Sequence, residues 1–180
     1  MKITLVMVQS INGKITRGAN HHIPAWTSSE DKEHFRNLVD SASLIIMGRH
    51  TYEAAKSSIK HKEGTLRVVV TTNSASFKDE VNPGTLEFTN EAPKILIERL
   101  EQAGRTEGLL VGGATLNSTF LSAELVDDLY LTIEPHIFGN GHPLIEKTNL
   151  DISLKLLESK KLNNQGTLLL HYQVIKTSQI

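Results

Sequence analysis

Two short apolar runs in this chain end in glycine and pass directly into polar, helix-compatible sequence. Leu44-Ile45-Ile46-Met47-Gly48 leads into Arg49-His50-Thr51-Tyr52-Glu53, and Leu109-Leu110-Val111-Gly112-Gly113 leads into Ala114-Thr115-Leu116. A strand that ends this way and feeds a helix presents the unpaired N–H groups of a first helical turn and the positive end of the helix dipole, a combination that holds phosphate. At the first junction Gly48 permits close backbone approach, Arg49 adds a forked cation and Thr51 a hydroxyl donor. Taken singly, each junction also fits an ordinary tight turn. Two of them in one sheet point to a dinucleotide lying beyond the carboxyl ends of the strands. The Gly-x-Gly-x-x-Gly fingerprint is absent, which weighs against a standard Rossmann domain.

The elements that must carry these junctions follow from the pattern of apolar residues. Runs rich in Val, Ile and Leu at 3–8, 44–47, 66–71, 108–111 and 128–134 have the length and flanking turn residues of strands buried on both faces. Between them, Ser28-Ser29-Glu30-Asp31 reads as a cap and acidic first turn of a helix over 29–41, with Phe35, Leu38, Val39 and Ala42 on its apolar side. Asn90 is expected to cap a second helix, with Pro93 in its first turn and Gly104 as its stop, and a third should run from Thr115 to about Leu121. Such alternation predicts a largely parallel sheet with right-handed crossovers and helices on both faces. The last third differs: 151–159 and 166–176 read as strands of an antiparallel hairpin turning across 161–166.

Composition limits the chemistry further. The 180 residues, 39% hydrophobic and 22% charged, are expected to form one domain spanning 1–180 with its own core, and a formal net charge of −1 argues against a nucleic-acid partner. Any anionic ligand must therefore be held by local groups. With no cysteine, thiol catalysis and disulfides are excluded, and a reducing cytoplasm fits. The apolar start at 3–8 is too short for a signal peptide or membrane span. The eight histidines, including the adjacent His21 and His22, show no ligand spacing, and no metal is expected.

Several segments together resemble the dihydrofolate reductase superfamily: Met47-Gly48-Arg49-His50-Thr51-Tyr52-Glu53, Gly112-Gly113, and Asp128-Leu129-Tyr130-Leu131-Thr132, in that order. Ser10-Ile11-Asn12-Gly13-Lys14-Ile15, Trp26-Thr27-Ser28 and the stretch from Leu121 to Pro135 resemble the riboflavin-pathway pyrimidine reductases, the branch typified by the RibD C-terminal domain. The resemblance spans residues 3 to about 144. It implies a dihydrofolate reductase-like three-layer α/β fold, mostly parallel, with an antiparallel C-terminal hairpin. It also implies NADPH as cofactor, a small heterocyclic substrate and a homodimer.

Carried over residue by residue, the resemblance assigns Gly48, Arg49, His50 and Thr51 to cofactor phosphates and Gly112, Gly113, Ala114 and Thr115 to the pyrophosphate. Thr71, Thr72 and Asn73 align with contacts to the adenosine 2′-phosphate. Ser10, Asn12, Trp26, Thr27, Ser28 and Phe35 would face the substrate, and Lys14 would reach an anionic or carbonyl group on it. Asp31 is the acid/base candidate, with Thr132 as its partner; burial beside a nicotinamide would raise its pKa, whereas a solvated helix-dipole role is the alternative. The chain departs from the riboflavin branch at Val111, where a glutamate is usual, at Asn12, where an aspartate is usual, and at 51–56, which replace an Asp-Asp-Pro segment. No zinc-deaminase pattern is present. The implied reaction is hydride transfer of the riboflavin-biosynthesis type; dihydrofolate reduction and a non-catalytic NADP-binding module are the alternatives.

Overall fold

The computed structural model describes residues 1–20, 23–146 and 148–176. Its frame is an eight-stranded sheet built from β1 (Lys2–Ser10), β2 (Leu44–Gly48), β3 (Leu66–Val70), β4 (Leu86–Thr89), β5 (Glu107–Leu110), β6 (Asp128–Glu134), β7 (Leu154–Lys161) and β8 (Leu168–Val174), in the spatial order β4-β3-β2-β5-β1-β6-β8-β7. The first six strands are parallel; β8 runs antiparallel to β6, and β7 antiparallel to β8. All six parallel strands therefore end on one rim. The antiparallel hairpin forms the edge expected from the sequence, its turn displaced by about one residue.

Four α-helices cover the faces: α1 (Ser29–Ser41), α2 (Arg49–Ala55), α3 (Pro93–Gln102) and α4 (Ala114–Ser122). The larger core lies on the α3/α4 side, where Ile3, Leu5, Leu44, Ile46, Leu96, Leu100, Leu110 and Phe120 are almost wholly removed from water. The smaller core on the other face joins Ile45, Met47, Tyr52, Val69 and Leu86 to Val39 and Ala42 of the α1 end. The alternation Ile45/Ile46 and Val68/Val69 divides each strand between the two cores, as period-2 geometry requires of a doubly covered sheet.

Three sequence expectations change. The sequence does not predict β4, because Leu86-Glu87-Phe88-Thr89 is a four-residue run whose alternation is too short to stand out. Asn90 does not cap α3: Ala92 is the N-cap and Pro93 opens the helix, so the fixed φ of proline starts it without a side-chain acceptor. Phe35 does not join the apolar side of α1 but is 40% exposed. The first turns of that helix stand over a polar strip of β6, and only its C-terminal end reaches the smaller core. The helix bounds of α1 themselves agree with the expected 29–41, and α4 extends the expected span by one residue at each end.

Candidate active site

At the ends of β2 and β5 the two glycine junctions lie against each other. The Gly48 N–H donates to the Gly112 carbonyl at 2.7 Å. A Cβ on Gly48 would meet Gly112 O and Gly113 N, each at 3.6 Å, and one on Gly113 would meet Thr51 Oγ1 at 3.6 Å, ordinary contacts that would fill the gap between the loops. Gly112 has φ +90° and joins Gly113 through a cis peptide. Gly48 and Gly113 are the N-caps of α2 and α4, and neither helix start has a side-chain cap. In α1, by contrast, the Ser28 hydroxyl accepts from the Asp31 N–H at 3.2 Å. The first turns of α2 and α4 thus have no side-chain acceptor, and they start at adjoining points of one rim.

The other residues expected to hold a cofactor stand around this point. Thr71 is buried after β3, its N–H bonded to Thr89 O at 2.8 Å and its hydroxyl accepting from the Asn73 N–H at 3.3 Å, while Thr72 and Asn73 are exposed. Arg49 folds onto its own helix: Nη1 donates to both carboxylate oxygens of Glu53 at 3.0 Å, and Nη2 lies 2.9 Å from His50 Nε2. Thr115 Oγ1 reaches Glu146 at 3.4 Å, and Ala114 is buried at the helix start.

Two strands further along the rim lies a second cluster. Neighbouring strands are ~4.8 Å apart, which sets β6 about 10 Å from β5 and leaves β1 between them. Tyr130, Thr132 and Glu134 alternate onto the face of β6 that α1 covers. Opposite them stand Ser28, Asp31 and His34, at three-residue steps along the helix. The Ser28 N–H donates to Glu134 Oε1 at 2.7 Å, Asp31 is hydrogen-bonded by Thr132 and Thr27, and the His34 ring meets Tyr130 edge-on at 5.4 Å. Asp31 is 7% exposed and Glu134 2%. Burial, chiefly, pushes the Asp31 carboxyl up to about 6; the Thr132 and Thr27 hydroxyls and Lys32 oppose the rise, and the neighbouring Glu134 charge adds to it. A carboxyl raised this far lies in the range a general acid requires.

A wall over β1 and β6 completes the cluster. The loop after β1 zips to the loop after β6 through Ile11 N to His136 O, Ile15 N to His142 O and Gly18 N to Asn140 O, each 2.9 Å. Asn12 locks the two together, accepting from Phe138 N at 3.1 Å and donating to Phe138 O at 2.7 Å, and Ser10 Oγ donates to Asn12 Oδ1 at 2.8 Å. Both Asn12 amide atoms and the Ser10 hydroxyl thus hold the loop structure, and one Asn12 N–H remains available on an exposed side chain. Lys14 is partly buried, its N–H bonded to Ser10 Oγ at 3.0 Å. Trp26 packs edge-on to Phe138 at 5.1 Å, and its buried indole N–H has no protein acceptor. Phe35 stands exposed on α1, one turn beyond Asp31.

Sequence reasoning passed over Glu134. Its signal is the two-residue step Tyr130, Thr132, Glu134 on one strand, which places a carboxylate beside Thr132 at the rim. Among the described residues no group of three His, Cys, Asp or Glu is placed to hold a metal ion, and His21 and His22 lie outside those residues. Nor is any helix among them long and apolar enough to cross a membrane.

Comparison with known proteins gives a consistent frame. The model of the RibD C-terminal domain matches residues 1–168. The uncharacterized protein YwjB of Bacillus subtilis (strain 168) is 25% identical over 175 residues, 95% of this chain and 97% of that protein. A pyrimidine reductase-like protein of Corynebacterium diphtheriae superposes with a TM-score of 0.79 at 18% identity, covering 97% of this chain and 92% of that one. Dihydrofolate reductase from Enterococcus faecalis, complexed with NADP(H) and RAB-propyl, superposes with a TM-score of 0.66 at 16% identity, covering 97% of each chain. The fold is the dihydrofolate reductase-like one expected from the sequence.

Proposed function

The chain belongs to the RibD C-terminal domain family, and from that premise we propose that it is an NADPH-dependent reductase of the riboflavin-biosynthesis type, acting on a small heterocyclic or ribosylamino substrate. One observation carries the reading: the Gly48 N–H bond to Gly112 O, which brings two uncapped helix starts to a single point of the rim. The donors there suit a pyrophosphate, and Thr71, Thr72 and Asn73 at the end of β3 suit the 2′-phosphate of an adenosine. Binding that phosphate requires Arg49 to exchange Glu53 for the ligand. When bound, the nicotinamide supplies the hydride.

The chain's own residues do the rest. The zipped loops after β1 and β6 wall off water, and the exposed Phe35 offers an apolar surface to a heterocycle, with the buried Trp26 and its unpaired indole N–H behind the wall. Lys14 places a cation at the same wall. Asp31, held by Thr132 and Thr27, gives a proton to the ring atom next to the carbon that is reduced, and a carboxyl titrating near 6 is protonated often enough to do so. The same Asp31–Thr132 pairing favours a second reading, reduction of dihydrofolate. NADPH oxidation measured separately with dihydrofolate and with the ribosylamino-pyrimidine separates the two. Tight NADPH binding with neither substrate reduced supports a non-catalytic binding module, and no NADPH binding in a titration overturns the proposal.

The same reading takes 1–180 as one such domain that pairs as a homodimer through the sheet edge. β7 is exposed along its whole length, with Leu154, Leu156 and Leu157 each more than 40% accessible beside Lys155, Lys160 and Lys161. An open apolar edge strand of this kind calls for cover. Sedimentation of the wild type and of Leu156→Lys tests it, the expected result being a dimer that the substitution dissociates.

A further inference from the structure

We propose that Glu134 is the positioning residue of this site: its buried carboxylate ties the N-cap of α1 and the β7–β8 turn to the rim of β6, and so fixes the Asp31 carboxyl over Thr132. The kinetic consequence rests on the reductase reading above; the placement itself does not.

The geometry is a chain of bonds with Glu134 at its centre. Oε1 accepts from the Ser28 N–H at 2.7 Å, and Oε2 accepts from the Thr167 hydroxyl at 2.7 Å. Thr167 in turn accepts from Asn163 Nδ2 at 3.0 Å, and Asn163 Nδ2 also reaches Glu30 Oε2 at 3.2 Å. Asn163 Oδ1 accepts from the Gly166 and Thr167 N–H groups, each at 3.1 Å, which closes the turn. Ser28, held from one side by Glu134, accepts from the Asp31 N–H on the other. Three residues separate the Glu134 contact from the Asp31 carboxyl, which is one turn of α1. The other tie at this helix start, Glu30 to Asn163, belongs to the same network, while Ser29 and Phe35 are exposed.

Apolar packing would orient α1 as well, and at lower cost than a buried carboxylate. What a carboxylate adds is a charge beside Asp31. The charged groups bearing on Asp31 are Glu134 from β6 and Lys32 from its own helix; the Thr27 and Thr132 contacts are neutral hydroxyls. A like charge holds the Asp31 proton on, and the Ser28 and Thr167 donors keep that charge in place.

The test titrates Asp31 in the free protein by NMR of 13C-carboxyl aspartate, with Asp31→Asn assigning its resonance. Glu134→Gln, nearly the same in shape, is expected to lower the Asp31 midpoint by on the order of one pH unit, because it removes a like charge. Glu134→Asp keeps the charge but shortens the reach, so the midpoint should hold while hydrogen exchange of the Ser28 amide quickens more than about tenfold, one lost bond. A midpoint unmoved in Glu134→Gln overturns the electrostatic part, and unchanged Ser28 exchange in Glu134→Asp overturns the positioning part. If Glu134→Gln fails to fold, the Glu134→Asp exchange alone decides. A midpoint that moves in a protein reducing neither heterocycle leaves this role standing and the reductase reading fallen; turnover with a fixed midpoint does the reverse.

Discussion

Asp31→Asn should abolish proton delivery and yet make the protein more stable at high pH. In the folded protein the Asp31 carboxyl holds its proton up to about 6, against an ordinary 3.8 in the unfolded chain. The folded state is therefore the better proton binder between those values, so unfolding releases a proton there and stability falls as the pH climbs through that window. Below it the carboxyl is protonated in both states and nothing is lost. Above it the full loss applies, about 3 kcal/mol at ~1.36 kcal/mol for each tenfold change in proton affinity. Asparagine carries no charge and keeps one acceptor for the Thr132 or Thr27 hydroxyl; a forfeited second bond costs ~1 kcal/mol. The net gain at pH 8 is about 2 kcal/mol, or a Tm rise of about 4–8 °C in a chain of this size. Urea unfolding followed by circular dichroism at pH 8, 6 and 4 reads the difference directly. The gain must shrink toward pH 4; a variant equally or less stable than wild type at pH 8 as at pH 4 refutes the reasoning, because packing offsets alone do not depend on pH.

Three further outcomes follow from the same geometry. With Asp31 as proton donor, kcat/KM should decline about tenfold per pH unit above the free protein's Asp31 midpoint near 6, and a flat profile across that range removes Asp31 from the chemistry. Gly48→Ala places a methyl 3.6 Å from Gly112 O and Gly113 N, an ordinary contact at φ −81°, so the fold should hold within ~0.5 kcal/mol while NADPH affinity, read by fluorescence titration, drops tenfold or more. Unaltered affinity would show that the gap between the loops holds no phosphate. Gly112→Ala behaves differently: φ +90° and a Met7 Sδ atom 3.0 Å from the new Cβ should cost about 1–3 kcal/mol of stability, measured by thermal unfolding, whether or not a cofactor is present.

The strand ends were legible in the sequence because each apolar run breaks at glycine, and at 112 that glycine adopts a positive φ few other residues take. The helix over 29–41 was legible from Ser28 and the acidic turn behind it, and the structure shows the Ser28 cap. Less was readable where the signal is shared among distant residues. Asn90 is a good cap in isolation, yet Pro93 sets the helix start two residues later. The 35 position has the apolar type of a core residue, but which way a helix turns its face depends on what lies beneath it, and beneath α1 lies the polar strip of β6. Asn12 and Ser10 look like ligand groups in a loop; their bonds to Phe138 and to one another are visible only once the two loops meet.

Glu134 shows why such a residue escapes a linear reading while being built into the fold. A helix repeats its contact face about every three to four residues, a rise of 4.5–6 Å, and a strand every two, a rise of ~6.6 Å, so the two can run alongside each other with partners at 28, 31 and 34 facing 134, 132 and 130. Each rung has a different character: a backbone donor on a carboxylate, a carboxyl on a hydroxyl, and two aromatic rings. The last rung passes on into the sheet, where Tyr130 stacks on His171 at 4.2 Å. On the proposed reading such a site separates its tasks along one edge: the glycine turns at β2 and β5 would hold what is negatively charged, and a carboxyl at β6, about 10 Å from β5, shielded from water and flanked by a second carboxylate, would handle the proton.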